Sequence, residues 1–171
     1  MADLESLLAD LDSARDSFHD ALASVDAPLV TVPGVVGDWS VRDLVVHVAA
    51  WDEHGAAALE LASSGRGADF AYSTADTDAE NDRIEAEALR TSPSEALARE
   101  ERAFADFRAA IAGLDPSLLG EVLGNGDTVG AVIRYDGADH YAEHTDHIRA
   151  WFGAEGAEDA SDADDADEAD A

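Results

Sequence analysis

The chain has 171 residues, 39 acidic side chains against 10 basic ones, and a formal charge of −29. That length fits one domain with a real core rather than two, and the absence of cysteine excludes disulfides, thiolate metal sites and cysteine nucleophiles. All ten basic residues are Arg and none is Lys, a balance that opposes binding to nucleic-acid phosphates and to anionic membrane surfaces.

In chain order, Asp3 to about Val25 reads as a first helix. Leu4, Leu7, Leu8, Leu11, Ala14, Phe18 and Leu22 recur at three- and four-residue steps on one face. Asp26-Ala27-Pro28 stops it, and Leu29 to Val36, interrupted by Pro33-Gly34, is a loop rather than a strand. Ser40 followed by Asp43 has the spacing of a capping box, opening a second helix that ends near Ser63-Ser64-Gly65. Its inward stripe is Leu44, His47, Val48, Trp51, Ala58, Leu59 and Ala62. A Gly- and Ser-containing loop follows, then a polar helical segment from Asp76 to Arg90. Ser92-Pro93-Ser94-Glu95 starts a third long helix reaching about Gly113, with Leu97, Phe104, Phe107, Ile111 and Leu114 inward.

After Asp115-Pro116 and a short apolar stretch, Gly124-Asn125-Gly126 breaks the chain. Asp127 or Thr128 caps a last helix reaching Phe152, whose inward stripe takes in Ile133, Gly137, His140, His144, His147 or Ile148, and Trp151. From Ala154 to Ala171 no large apolar residue occurs, so the expectation is a disordered acidic tail. The pattern predicts an all-α, antiparallel four-helix bundle over residues 1–153, with an extra helical segment, followed by a tail over 154–171. The first residues lack the basic start and apolar run of a signal peptide, and no stretch approaches a bilayer span, so the expected location is cytoplasmic. The Lys-free acidity matches cytoplasmic proteins of salt-in halophiles; an acidic protein of a high-GC bacterium is the alternative.

Histidine is the residue type that carries chemistry. His140 and His144 stand one helical turn apart, so both imidazoles can reach one ion, but two histidines are only half a site. His47, on the inward stripe of the second helix, is the candidate third ligand. Inward histidines also serve as hydrogen-bonded core residues, and spacing does not decide between the two. His54 can line the pocket but lies too far along its helix to share an ion with His47. Asp43 and Glu143 are candidate orienting partners for the rings, or else a helix-start acid and a solvated charge. Glu101 sits between Leu97 and Phe104 on the predicted stripe, either as a general base or at the bundle edge. Trp39, Trp51 and Tyr141 wall the pocket or pack the core.

Two stretches carry a family resemblance. Val35 to Asp52, reading VVGDWSVRDLVVHVAAWD, and His140 to Trp151, reading HYAEHTDHIRAW, resemble the characteristic motifs of the DinB-like superfamily. Asn81 and the closing HY…IR-x-W are most similar to its ClbS/DfsB branch. The resemblance implies an up-down-down-up bundle, often a homodimer. It implies a divalent metal (nickel, zinc or iron) held by three histidines at the positions of His47, His140 and His144. It also implies a small-molecule substrate and, in some members, a low-molecular-weight thiol cosubstrate. The ClbS-like branch includes proteins that protect cells by hydrolysing a reactive small molecule, and it commonly lacks the second final-helix histidine, which this chain has. His147 falls where neither pattern asks for histidine. Three functions stand open: a metal-dependent hydrolase or thiol transferase acting on a small electrophile, a ClbS-like protective protein without tight metal, or a non-catalytic bundle.

Overall fold

The computed structural model describes residues 3–72 and 74–165. Helices α1 (Leu4–Ala23), α2 (Val41–Ser63), α3 (Thr74–Ala88), α4 (Pro93–Ala112), α5 (Val129–Ile133) and α6 (Asp139–Asp165) account for most of it. The described residues form no strand, only isolated bridges joining Val36 to Trp39 and Val122 to Thr128.

The caps lie where the sequence places them. Asp3 accepts from the Ser6 amide, Ser40 and Asp43 close a capping box, Ser92 and Glu95 close another around Pro93, and Thr128 accepts from the Ala131 amide. Each satisfies amides that a helix start leaves without partners. The helix α6 carries its backbone to Asp165, so 154–165 of the stretch expected to be a tail are helical. Residues 166–171 of that stretch lie outside the described residues. Ala and Glu propagate a helix already nucleated by packing at little cost.

The four long helices α1, α2, α4 and α6 make the bundle. Arg15 reaches Glu100 and Asp12 reaches Arg108, so α1 and α4 run antiparallel. His47 meets His140 while His54 meets Asp136, so α2 and α6 are also antiparallel. Glu53 pairs with Arg99, and Gly55 lies against Phe107, which makes α2 and α4 parallel neighbours. The order is up-down-down-up. Gly55 lets α4 come close, because a Cβ there would stand 2.7 Å from the Phe107 ring.

Two sequence expectations are corrected. The last helix is not continuous: α5 ends at Ile133, and a π-helical turn over Arg134–Ala138 leads into α6, with Gly137 outside helical geometry. A side chain at Gly137 would meet Leu11 and Phe107 within 3.3 Å. The inward face of α4 keeps Phe107 and Ile111 as expected, with Leu114 buried just beyond it, but its first half is turned by one residue. Ala96, Glu100, Ala103, Phe107 and Ile111 are buried, whereas Leu97 is 43% exposed and Glu101 is exposed. Small residues at 96 and 103 let α4 lie close on α2, which displaces the bulkier Leu97 outward.

The acid in the core is therefore Glu100, fully buried, and it ties the bundle together. It accepts two bonds from Arg15 of α1, contacts His19 of α1, and accepts from the Tyr141 hydroxyl of α6. Tyr141 also lies 2.7 Å from Asp52 of α2. One hydroxyl proton cannot serve two carboxylates, so a carboxyl must carry the second proton. Burial pushes Asp52 well above the usual carboxylate range. Burial also opposes ionisation of Glu100, but bonds from His19, Arg15 and Tyr141 outweigh it and hold Glu100 at about 2. Asp52 is the neutral acid, donating to Tyr141, which donates to ionised Glu100. Removing one partner of a buried pair costs ~3 kcal/mol or more. Glu100→Gln is expected to lower stability in denaturant titration by about that much, and Glu101→Gln by less than ~0.5 kcal/mol.

Candidate metal centre

The pinning of Tyr141 sets what its neighbours do. With that side chain directed into the core, His140 and His144 face the α2 side of α6, where His47 sits one turn and a half before Asp52. The three imidazoles meet. Nε2 of His140 lies 2.9 Å from Nε2 of His47 and 2.9 Å from Nε2 of His144, and the three ligand atoms fall within 4.8 Å of one another. His47 and His144 are buried, His140 half-buried.

Hydrogen bonding does not account for this arrangement. A ring nitrogen has one in-plane position, holding either a proton or a lone pair, so His140 Nε2 cannot satisfy both neighbours. Three lone pairs turned to one point could hold a single cation. Ligands ~2.1 Å from a tetrahedral ion stand ~3.4 Å apart, so a small outward adjustment of the rings admits one. The electronic state also suits a cation. Burial, and then the neighbouring His144, lower His47 to about 3; burial and His47 lower His140 to about 3; burial, His140 and His147 lower His144 to about 2. All three rings are neutral near pH 7, with no proton to displace.

The surroundings differ from the sequence expectation. Asp43 orients no ring: it accepts from Ser40 and Arg42 in the helix cap. Nδ1 of His47 and of His140 are buried without a protein partner. The His47 ring is held instead by Trp39 and Trp51, with centroids 4.8 and 6.2 Å away. His144 Nδ1 lies 3.2 Å from His147 Nδ1, which gives His147 a contact that neither motif demanded. A cavity of about 560 Å³ opens over the cluster. Trp39, Trp51 and Glu143 line it with the three histidines, and so do Asn81 and Glu85 of α3. Asn81 Oδ1 is buried and free. Tyr141 belongs to the core rather than to this wall. His54 stays outside the cluster and bonds Asp136 through Nδ1 at 3.0 Å. Sequence reading missed Glu100, Asp52 and Asp136, and did not foresee α3 as the wall facing the histidines. Of these, the Asp136-Gly137 pair was the visible signal, an acid beside a residue that breaks helices.

Residues 11–147 match the family model described as the mycothiol maleylpyruvate isomerase N-terminal domain. The chain belongs to this family. Its fold is that of the DinB-like superfamily, in agreement with the resemblance of the two motifs. No curated protein matches the chain. Among solved structures, an uncharacterised protein from Escherichia coli UTI89 is similar with a TM-score of 0.77 at 17% identity, covering 90% of this chain and 95% of that one. The colibactin self-resistance protein ClbS, in complex with double-stranded DNA, is similar with a TM-score of 0.73 at 18% identity, covering 87% and 94%. These likenesses establish the shared bundle. Among the described residues no helix is long and apolar enough to cross a membrane.

The buried rings link the site to stability. An imidazole whose pKa is depressed on folding stabilises fully above its unfolded value near 6.5 and loses that contribution as pH falls towards its folded value. Metal-free protein is therefore expected to lose stability progressively from pH 6.5 towards 3, before Glu100 near 2 is fully protonated. A denaturation midpoint followed against pH checks this, and His47→Gln flattens the slope between pH 6.5 and 4.

Proposed function

We propose that this chain is a metal-dependent enzyme acting on a small electrophile, either hydrolysing it or transferring a low-molecular-weight thiol to it. His47, His140 and His144 hold the divalent ion. The observation that carries the reading is the convergence of three neutral Nε2 atoms from two helices on one point beneath an open cavity. Membership in a family described by a mycothiol isomerase favours the thiol over water as cosubstrate. A bound divalent ion supplies Lewis acidity at a position three imidazoles leave open.

The residues of the chain do the rest. In the tautomer that turns the His144 Nε2 lone pair to the ion, His144 Nδ1–H donates to His147 Nδ1, 3.2 Å away. Trp39 and Trp51 hold the His47 ring and exclude water from one side of it. Asn81, whose buried amide oxygen has no partner among the described residues, lines the cavity on the α3 side. The dsDNA named with ClbS concerns that protein; a chain of charge −29 lacks the cations to displace counterions from a phosphate backbone.

Purified chain is expected to hold one nickel, zinc or iron ion per molecule by elemental mass spectrometry. His47→Ala or His144→Ala lowers affinity by more than ~100-fold, and His147→Ala by ~10-fold, the range of outer-shell changes. Chelation abolishes thiol-dependent consumption of a model electrophile. Undiminished consumption without metal would replace this reading with a protective, metal-independent one. Neither metal nor consumption would leave a non-catalytic bundle.

A further inference from the structure

A second cavity, also about 560 Å³, adjoins the first. The two share Trp51 and Thr77 as walls. The second is lined by aromatic rings, Phe70, Tyr72 and Tyr135, and contains His54 and Asp136. The irregular part of the fold brings these two together. The π-helical turn over Arg134–Ala138 carries Asp136 inward, and Gly55, next to His54, has no side chain to obstruct it: a Cβ there would lie 3.2 Å from the Asp136 Cβ. π-Helical turns of this kind recur at functional sites.

Burial raises Asp136 and the bond to His54 opposes that rise. In the tautomer in which His54 Nδ1–H donates to Asp136 Oδ2, 3.0 Å away, the His54 Nε2 carries a lone pair. That Nε2 is buried and has no partner among the described residues, on a side chain that lines the cavity. His54 cannot act at the histidine cluster, since seven residues of helix place it roughly 10 Å along the axis from His47. Trp51 stands between them, 4.9 Å from the His54 ring and 6.2 Å from those of His47 and His140. Among the described residues neither cavity has an Arg in its lining, while Asp38, Glu85 and Glu143 line one and Asp127 and Asp136 the other.

We infer that the two cavities form one elongated site, in which the His54–Asp136 dyad anchors the far end of the bound cosubstrate or substrate. Resting on the metal-centre reading, this specifies its ligand class. The molecule reaches about 10 Å from its reacting group, passes Trp51, and ends in a hydrogen-bond donor, a hydroxyl or an ammonium, that donates to His54 Nε2. An anionic terminus is excluded by the carboxylates and by the lack of any guanidinium to receive it.

The test is calorimetric titration of nickel-loaded protein with alkanethiols of increasing length, ending in hydroxyl, ammonium or carboxylate. Chains of about six to eight methylenes span the gap. At that length hydroxyl or ammonium termini are expected to bind about tenfold more tightly than a two-carbon thiol, and than the carboxylate of equal length. Which of the two donors binds better identifies the natural terminus. His54→Gln and Asp136→Asn remove the gain and leave two-carbon thiols binding as before. Affinity indifferent to length and terminus, or a gain that survives His54→Gln, overturns the inference while the metal centre stands. If no thiol of any length binds, the thiol-transfer branch of the proposed function fails and the anchor falls with it, while the ion in the loaded protein still attests the metal centre.

Discussion

The Tyr141 hydroxyl is held between two buried carboxyls from two other helices, Asp52 of α2 and Glu100 of α4. Arg15 of α1 completes the charge balance, so one network spans all four long helices. Apolar contact along a helix tolerates rotation and sliding at small cost, because any γ-branched side chain fits many grooves. A hydroxyl bonded to two buried carboxyls does not, since each lost bond leaves a desolvated polar group unpaired. The network therefore fixes the rotation and height of α6. His140 and His144 flank Tyr141 in sequence, so fixing Tyr141 places both rings against His47.

The same burial that makes the network costly to disturb prepares the histidine cluster. Excluding water from three imidazoles disfavours their charged forms and keeps their lone pairs available far below neutral pH. The acidic coat acts at longer range. All ten arginines are already counted in the −29, and many are committed to carboxylates, among them Arg42 to Asp43, Arg99 to Glu53 and Arg108 to Asp12, so none of that net charge is offset by basic side chains. A cavity in such a surface draws cations towards it, and concentrated salt screens the accompanying self-repulsion within a few ångströms.

Much of this was legible in the sequence. The caps at Ser40, Ser92 and Thr128 could be read because capping uses residue types at fixed offsets, independent of tertiary packing. The histidine triad was legible because the i, i+4 pair and the stripe of α2 are local patterns. The phase of α4 was not. Leu97, Glu101 and Phe104 make one plausible run into Phe107 and Ile111, and Ala96, Glu100 and Ala103 make another, and only packing against the neighbouring helices selects the second. The acid singled out was thus one residue from the buried one. The turn at Gly137, and with it the placement of Asp136 beside His54, depends on Leu11 and Phe107 crowding that point from two other helices, which no local pattern records.

The central claim is that three imidazoles from α2 and α6 share one ion. Crystals soaked in a zinc or nickel salt, with anomalous scattering recorded on either side of the metal edge, address it most directly. The account predicts a single strong peak with Nε2 of His47, His140 and His144 each about 2.0–2.1 Å away. Peaks confined to surface carboxylates, with the three rings still in mutual contact and no density between them, would contradict it.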